Sequence, residues 1–285
     1  GWGLVGGNGT TYLSVEYLAV SMIIPFAFIL AYWLLAKKMR LLGTFKNAIT
    51  APDAMYYRFG KDENVRMLGA IAVVLGSMGY LASQYAALGL VGALVLPVGF
   101  FEALFLGLLV VGFYTAIGGI LAALWSDAIQ GIIMALGGAA ASYYIFTALG
   151  GIGNTIDILA SEGPQYLAFT SMGESGVLPI GFVLLYPILT VTTAAQPQAT
   201  TKFYMVRRTA LLKWGAIVSV TGYLLTTMYW WSGPVMQAAV LDGQVAAIPN
   251  PDAAMPIAMI EFAPPIVTAL VLTSVIAAVM STSNA

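Results

Sequence analysis

Apolar runs long enough to cross a bilayer follow one another along nearly the whole chain, separated by short polar stretches. Residues 1 to 10 read as the outer end of a first helix, and Leu13 to Ala36 as the first complete span, helix two. After a polar stretch over 37 to 66, the pattern predicts helix three from Met67 to Leu94, helix four from Phe100 to Ile117 and helix five from Ile120 to Leu149. Gly118-Gly119 supplies the tight turn between the last two. Helix six is expected from Gly176 through Pro187 and Pro197 to Lys202, and helix seven from Thr209 to Trp231. The segment 232 to 263 carries a short surface helix over Ala253 to Glu261, after which Pro264-Pro265 open helix eight. A helix needs roughly 20 apolar residues to cross about 30 Å of hydrocarbon, and the alternating strands of about 10 residues that mark a barrel are absent. The fold class is therefore an all-α polytopic membrane protein.

Composition sharpens this. Hydrophobic residues make up 60% of the chain and charged residues 8%, against roughly 25% charged in a soluble domain. There is no Cys, hence no disulfide framework or thiolate metal site, and no His, the commonest general base and metal ligand. An enzyme is not expected, nor a cofactor, and nothing resembles a P-loop or a nucleic-acid-binding patch; the partner expected from composition is the lipid bilayer. All 11 Lys and Arg residues fall in 37 to 66 or 202 to 213. Alternating spans put both segments on the cytoplasmic side, with 150 to 176 and 232 to 263 outside. Helix six then runs opposite to helix one, five spans later, as an inverted-repeat transporter requires. Gly1-Trp2 and Ala285 both stand inside apolar runs, so the chain reads as an internal fragment, one transporter domain over 1–285 truncated at both ends. Asn8-Gly9-Thr10 matches a glycosylation sequon, a triplet expected about once by chance in such a length.

Asp127 is the acid that most needs a reason, since a carboxylate within a membrane helix costs roughly 2.5 to 3.5 kcal/mol and usually faces a partner, a wet cavity or an ion path. A position near the helix end, in the interface, would lower that cost. On helix eight, Ala278, Ser281 and Thr282 stand at i, i+3 and i+4, so one carbonyl and two hydroxyls share a side. Three neutral oxygens suit a small hard cation such as sodium, with other ligands from a facing unwound helix; hydroxyls that bond back to the preceding turn are the simpler reading. Helix six carries Thr190, Thr192, Thr193, Gln196 and Gln198 between or beside Pro187 and Pro197. That pattern points to a broken helix lining a substrate cavity, or to a proline kink near the interface. Tyr80 and Gln84 share a face of helix three and would present a hydroxyl and an amide to a solute, or serve as interhelical glue. Trp33, Trp230 and Trp231 read as interfacial anchors, and Gly137 to Ala141 as close helix packing.

The run Tyr114-Thr-x-x-Gly-Gly-x-x-Ala-x-x-Trp-x-Asp-x-x-Gln130 resembles the most characteristic stretch of the sodium:solute symporter family, which includes proline, pantothenate, acetate and sugar symporters. Thr50-Ala-Pro-Asp53 with Arg58-Phe59-Gly60 looks like that family's cytoplasmic loop, Gln196-Pro197 like its helix-six break, and Ala277-Ala278-Val-Met-Ser281-Thr282 like its sodium-site helix. The resemblance implies a LeuT-type inverted five-helix repeat, here incomplete, from the end of helix one through helix eight. It implies a sodium ion held by Ala278, Ser281 and Thr282, with the helix-one half of the site lying before Gly1, and a role for Asp127 in cation exit or a second cation site. Trp2 and Tyr80 match substrate-site aromatics of the proline symporters, while Leu189 and Thr193 stand where those proteins carry aromatics, a departure from proline specificity. With Gln84 and Gln196, Trp2, Tyr80 and Thr193 complete the candidate substrate-binding set. The reading is a sodium-coupled symporter that moves a small polar organic solute inward by alternating access, multi-pass in a prokaryotic plasma (inner) membrane. The alternative is a membrane sensor module of the same fold fused to a cytoplasmic histidine kinase. A channel fits less well, since there is no ring of charges or carbonyl filter.

Overall fold

A computed structural model describes residues 3–15, 17–21, 24–163, 166–167, 171–172, 176–177 and 196–284. Among them the structure is almost entirely helical, with one two-residue antiparallel pair, β1 (Ser171–Met172) and β2 (Gly176–Val177). Five helical stretches are long and apolar enough to cross a membrane: Glu63–Val95, Phe100–Gly119, Ala123–Gly150, Thr209–Leu241 and Pro265–Ser283. Their outward faces are oily. Met67, Leu68, Ile71, Val74, Leu75 and Met78 are all exposed along a single helix, a stripe that is stable in lipid and not in water. This is a multi-pass membrane chain.

The chain divides into two compact units, the first made of 1–21, 82–180 and 225–285 and the second of 22–81 and 181–224. In chain order the helices are α1 (Gly6–Leu13), α2 (Tyr17–Ser21), α3 (Ile24–Ala31), α4 (Lys37–Lys46), α5 (Ala51–Arg58), α6 (Glu63–Val95), α7 (Phe100–Thr147), α8 (Ile152–Glu162), α9 (Pro197–Met205), α10 (Leu212–Met228), α11 (Ser232–Leu241), α12 (Ala254–Phe262) and α13 (Pro265–Asn284). Helices three, four, five, seven and eight of the sequence reading appear close to their expected bounds. The turn between helices four and five falls at Gly119, with φ 58° and ψ −163°, a conformation that a residue bearing a Cβ rarely adopts.

The expected span from Leu13 to Ala36 is corrected at its start: Ser14 is extended (φ −157°, ψ 103°) and ends α1, after which helix is described over Tyr17–Ser21 and again from Ile24, with residues 16, 22 and 23 outside the described residues. A π-helical turn, Tyr32–Ala36, then joins α3 to α4, so the helix continues ten residues into the charged stretch before Asn47 ends it in the left-handed conformation (φ 54°). Three further helices, α5, α8 and α11, lie in segments read as polar connections.

In the second unit, α9 packs on α4 around Phe203, Ala36 and Leu212, with Tyr32, Leu35, Met39 and Val206 at the margin. Arg40 caps the end of α9: its Nε donates to the Val206 carbonyl, its Nη2 to the Arg207 carbonyl at 3.5 Å and its Nη1 to Thr44 Oγ1 at 2.6 Å. A guanidinium at a helix C-terminus satisfies orphan carbonyls and opposes the helix dipole. α5 begins with a capping box in which Thr50 Oγ1 accepts from the Asp53 amide at 3.3 Å and Asp53 Oδ2 accepts from the Thr50 amide at 3.0 Å and the Ile49 amide at 3.1 Å. Arg66 closes the motif from α6 at 2.9 Å from Asp53 Oδ1. Burial pushes the Asp53 carboxyl up, but the Ile49 and Thr50 hydrogen bonds and the Arg66 charge outweigh it and hold the group below its ordinary value. Tyr204 of α9 donates to the Thr50 carbonyl at 3.1 Å. Burial, helped by the Asp53 charge, pushes that phenol up to about 12, so it remains a donor throughout the physiological range.

In the first unit, α1 is locked onto the stretch from Trp230 to Asp252. Thr11 Oγ1 donates to the Trp230 carbonyl at 2.7 Å, Ser232 Oγ to Asn8 Oδ1 at 2.8 Å, and Trp230 Nε1 to the Gly3 carbonyl at 2.7 Å. Glycines allow this approach: a Cβ on Gly7 would lie 2.4 Å from the Trp230 ring, one on Gly9 2.2 Å from Asp252 Oδ1 and one on Gly233 2.2 Å from Thr11 Oγ1. Trp230 is 1% exposed, so it is a core residue, not the interfacial anchor expected; Trp33 is 78% exposed. Asn8 is fully buried, so the sequon is a structural asparagine.

Candidate functional site

α13 presents the expected oxygens within one helical turn. Thr282 Oγ1 donates to the Ala278 carbonyl at 2.7 Å, which is the back-bonded arrangement of a membrane threonine. That bond does not use up either oxygen. A hydroxyl that donates its proton keeps lone pairs, and a carbonyl has two, so both atoms remain able to bind a small cation. Ala278 is buried and Ser281 and Thr282 are half-buried. The turn is positioned by contact with α7, along which α13 lies: Tyr114 Oη donates to the Met280 carbonyl at 3.4 Å, and a Cβ on Gly137 would lie 2.5 Å from Ser274 Oγ. The small-residue series on helix five thus does what its composition predicts.

Asp127 is half-buried on α7. It stands at the fifth residue of the Ala123–Gly150 span, hence at the end of that helix next to the Gly119 turn. Gln130, one turn further on and 9% exposed, belongs to the same stretch.

The candidate substrate residues are dispersed among the described parts. Tyr80 belongs to the second unit and Gln84 to the first, four residues apart on the continuous helix α6. Gln84 is 1% exposed, with its Nε2 3.3 Å from Ser83 Oγ. Gln196 precedes α9 in a non-helical conformation (φ −58°, ψ 143°), and its Oε1 accepts from Gln198 Nε2 at 2.5 Å. Pro197 is the first residue of α9, so the chain is not helical on entering it, as two prolines in helix six predict. Trp2, Thr193 and most of the Thr190–Pro197 stretch lie outside the described residues.

Sequence reasoning passed over several residues that organise these parts. Tyr229 looks like one more interfacial aromatic beside two tryptophans, and no local signal pairs it with Ser274. Arg40 reads as one cation of a topology signal. Asp53 had a legible sign, since Thr50-Ala-Pro-Asp53 has the capping-box spacing.

The geometry is that of a multi-pass helical membrane chain in which α13 packs along α7. Comparison with known proteins agrees. The chain is similar to a "Sodium/pantothenate symporter" of Haemophilus influenzae, 28% identical over 99% of this chain and 57% of that protein. A "Sodium/pantothenate symporter" of Escherichia coli is 26% identical over 65% of this chain and 38% of its own length. A "Sodium/proline symporter" of Haemophilus influenzae is 34% identical over 47% of this chain and 27% of that protein. The chain thus spans at most 57% of these relatives, all of them transporters by name. Matched by the family model over residues 1–285, it belongs to the sodium:solute symporter family.

Proposed function

We propose that this chain belongs to a sodium-coupled symporter that carries a small polar organic solute inward across a prokaryotic plasma membrane by alternating access. The observation that carries the reading is the family match over the whole chain. One transporter domain with a LeuT-type inverted repeat fits the order of spans and the confinement of all 11 Lys and Arg residues to two segments. Sodium is the coupling ion: Ala278 O, Ser281 Oγ and Thr282 Oγ1 supply oxygens of the hard, neutral kind it prefers. Asp127 supplies a negative charge near the inner end of helix five, where it lowers the barrier to cation release. Tyr80, Gln84 and Gln196, with Trp2 and Thr193, form the solute set. The extended backbone at Gln196 supports an interrupted helix six, and freed backbone groups at membrane depth must line a cavity or meet protein partners. Relatives named for pantothenate and proline support a solute bearing a carboxylate.

The test is uptake by the full-length protein in proteoliposomes across a panel of carboxylate-bearing solutes, driven by a sodium or a potassium gradient. Sodium-specific uptake is expected for at least one. Thr282→Ala should raise the sodium concentration for half-maximal uptake, and Asp127→Asn should depress turnover with the protein still inserted. Potassium driving uptake as well as sodium would refute the proposal.

A further inference from the structure

In the first unit, three helices meet at one hydroxyl. Tyr229, in the turn that ends α10, is 1% exposed, and its Oη lies 3.2 Å from Ser274 Oγ on α13 and 3.5 Å from the Met134 carbonyl on α7. Either hydroxyl can donate across this contact: with the proton of Ser274, itself fully buried, given to the Val271 carbonyl at 2.6 Å, its lone pair is left to accept from Tyr229. Room for this contact comes from two glycines on α7: a Cβ on Gly137 would lie 2.5 Å from Ser274 Oγ, and one on Gly138 3.1 Å from the Tyr229 ring. Ser274 is one turn before Ala278 and two turns before Ser281, at i+4 and i+7, so all three lie along one stripe of α13.

We infer that Tyr229 is a positioning residue for the coupling cation: through Ser274 it fixes the rotation and height of helix eight against helix five, and so the direction in which the Ala278, Ser281 and Thr282 oxygens point. This rests on the sodium reading of that turn. Rotating a helix moves every oxygen on its face together, and a cation is sensitive to such displacement because its ligands must converge within a few tenths of an ångström. A residue outside the coordination shell that sets the orientation of ligands tunes affinity in the same way as other outer-shell partners. The plainer role, a ring that fills space between helices, is kept intact when only the hydroxyl is removed.

Tyr229→Phe is therefore the informative variant, since it preserves the ring and leaves Ser274 still bonded to Val271. In full-length protein reconstituted in proteoliposomes, the sodium concentration for half-maximal uptake should rise threefold to tenfold, the range that one neutral hydrogen bond controls. The solute KM at saturating sodium should stay unchanged. Ser274→Ala should give a similar shift, and the double variant clearly less than the sum of the two, because the Tyr229–Ser274 bond is lost in each. Thr282→Ala, run in parallel, separates the two levels of the argument. If Thr282→Ala shifts sodium dependence and Tyr229→Phe does not, the positioning role is wrong and the sodium reading stands. If neither shifts it, the sodium reading fails and takes this inference with it. Additive effects of Tyr229→Phe and Ser274→Ala, or a fall in maximal rate with no change in sodium dependence, would also overturn it.

Discussion

Asp53→Asn tests the loop before α6 at the atoms that build it. The carboxylate accepts from the Ile49 and Thr50 amides at 3.1 and 3.0 Å and pairs with Arg66 at 2.9 Å. Weakening an N-terminal cap costs about 1 kcal/mol. The ion pair adds less than about 1 kcal/mol, because the Arg66 side chain is 49% exposed and solvent screens it. The local loss is then about 1.5 kcal/mol, which is roughly tenfold in the opening equilibrium of α5. Hydrogen exchange followed by mass spectrometry on purified full-length protein reads this directly. Peptides covering Ile49 to Asp53 should lose about tenfold in protection, while those of α13 should not change. Acid should mimic the substitution. The Asp53 carboxyl is held below its ordinary value in the fold, so its contribution is complete above an unfolded pKa of about 3.9 and is lost as pH falls through the folded value. After correction for intrinsic exchange rates, wild type should lose protection at these amides in that acid range, and the variant should show no such step. Equal protection in wild type and variant at neutral pH would refute the capping argument.

Other outcomes follow from single contacts. Gly7→Val should lower the melting temperature of the purified protein by several degrees, since its Cβ would meet the Trp230 ring at 2.4 Å, whereas Gly76→Ala, into open space on α6, should not. Asp252, whose carboxyl is pushed up by burial, should be a cost when ionised: Asp252→Asn should raise thermal stability at pH 7 and lose that advantage once pH falls below the ordinary carboxylate value, as melting curves at several pH values would reveal. Expression in a eukaryotic secretory system should leave Asn8 unmodified, with no endoglycosidase-sensitive mobility shift, because it is buried. A single Cys replacing Lys46 should resist an impermeant outside reagent in intact cells; labelling would reverse the topology.

Most of the membrane architecture was legible because lipid selects for one thing, apolar length, and that is written residue by residue. Helix eight begins at Pro265 and helices four and five part at Gly119, both as read from proline and glycine chemistry. What escaped were features set by contacts distant in sequence. Trp230 looked interfacial until its indole N–H met the Gly3 carbonyl, and the extended Ser14 ends α1 inside a run whose hydropathy alone is continuous. At the α13 turn proposed to hold the cation, the candidate residues come from i, i+3, i+4 spacing, but their setting could not, since Tyr229 and Ser274 are 45 positions apart.

The close glycine contacts of the first unit bear on how this protein can change over generations. Gly7, Gly9, Gly137 and Gly233 each face a side chain or backbone at 2.5 Å or less from where a Cβ would sit, while Gly76, Gly79 and Gly112 face open space. The first group cannot drift one residue at a time: any replacement at Gly7 demands a smaller partner for Trp230, so substitutions there must arrive in pairs. The second group is free to drift to alanine, which in a helix interior favours folding by roughly 0.5 to 1 kcal/mol. A library of random single variants selected for expression should therefore fill the open glycines with alanine early and leave the contact glycines untouched, a division that composition, which counts 31 glycines alike, does not contain.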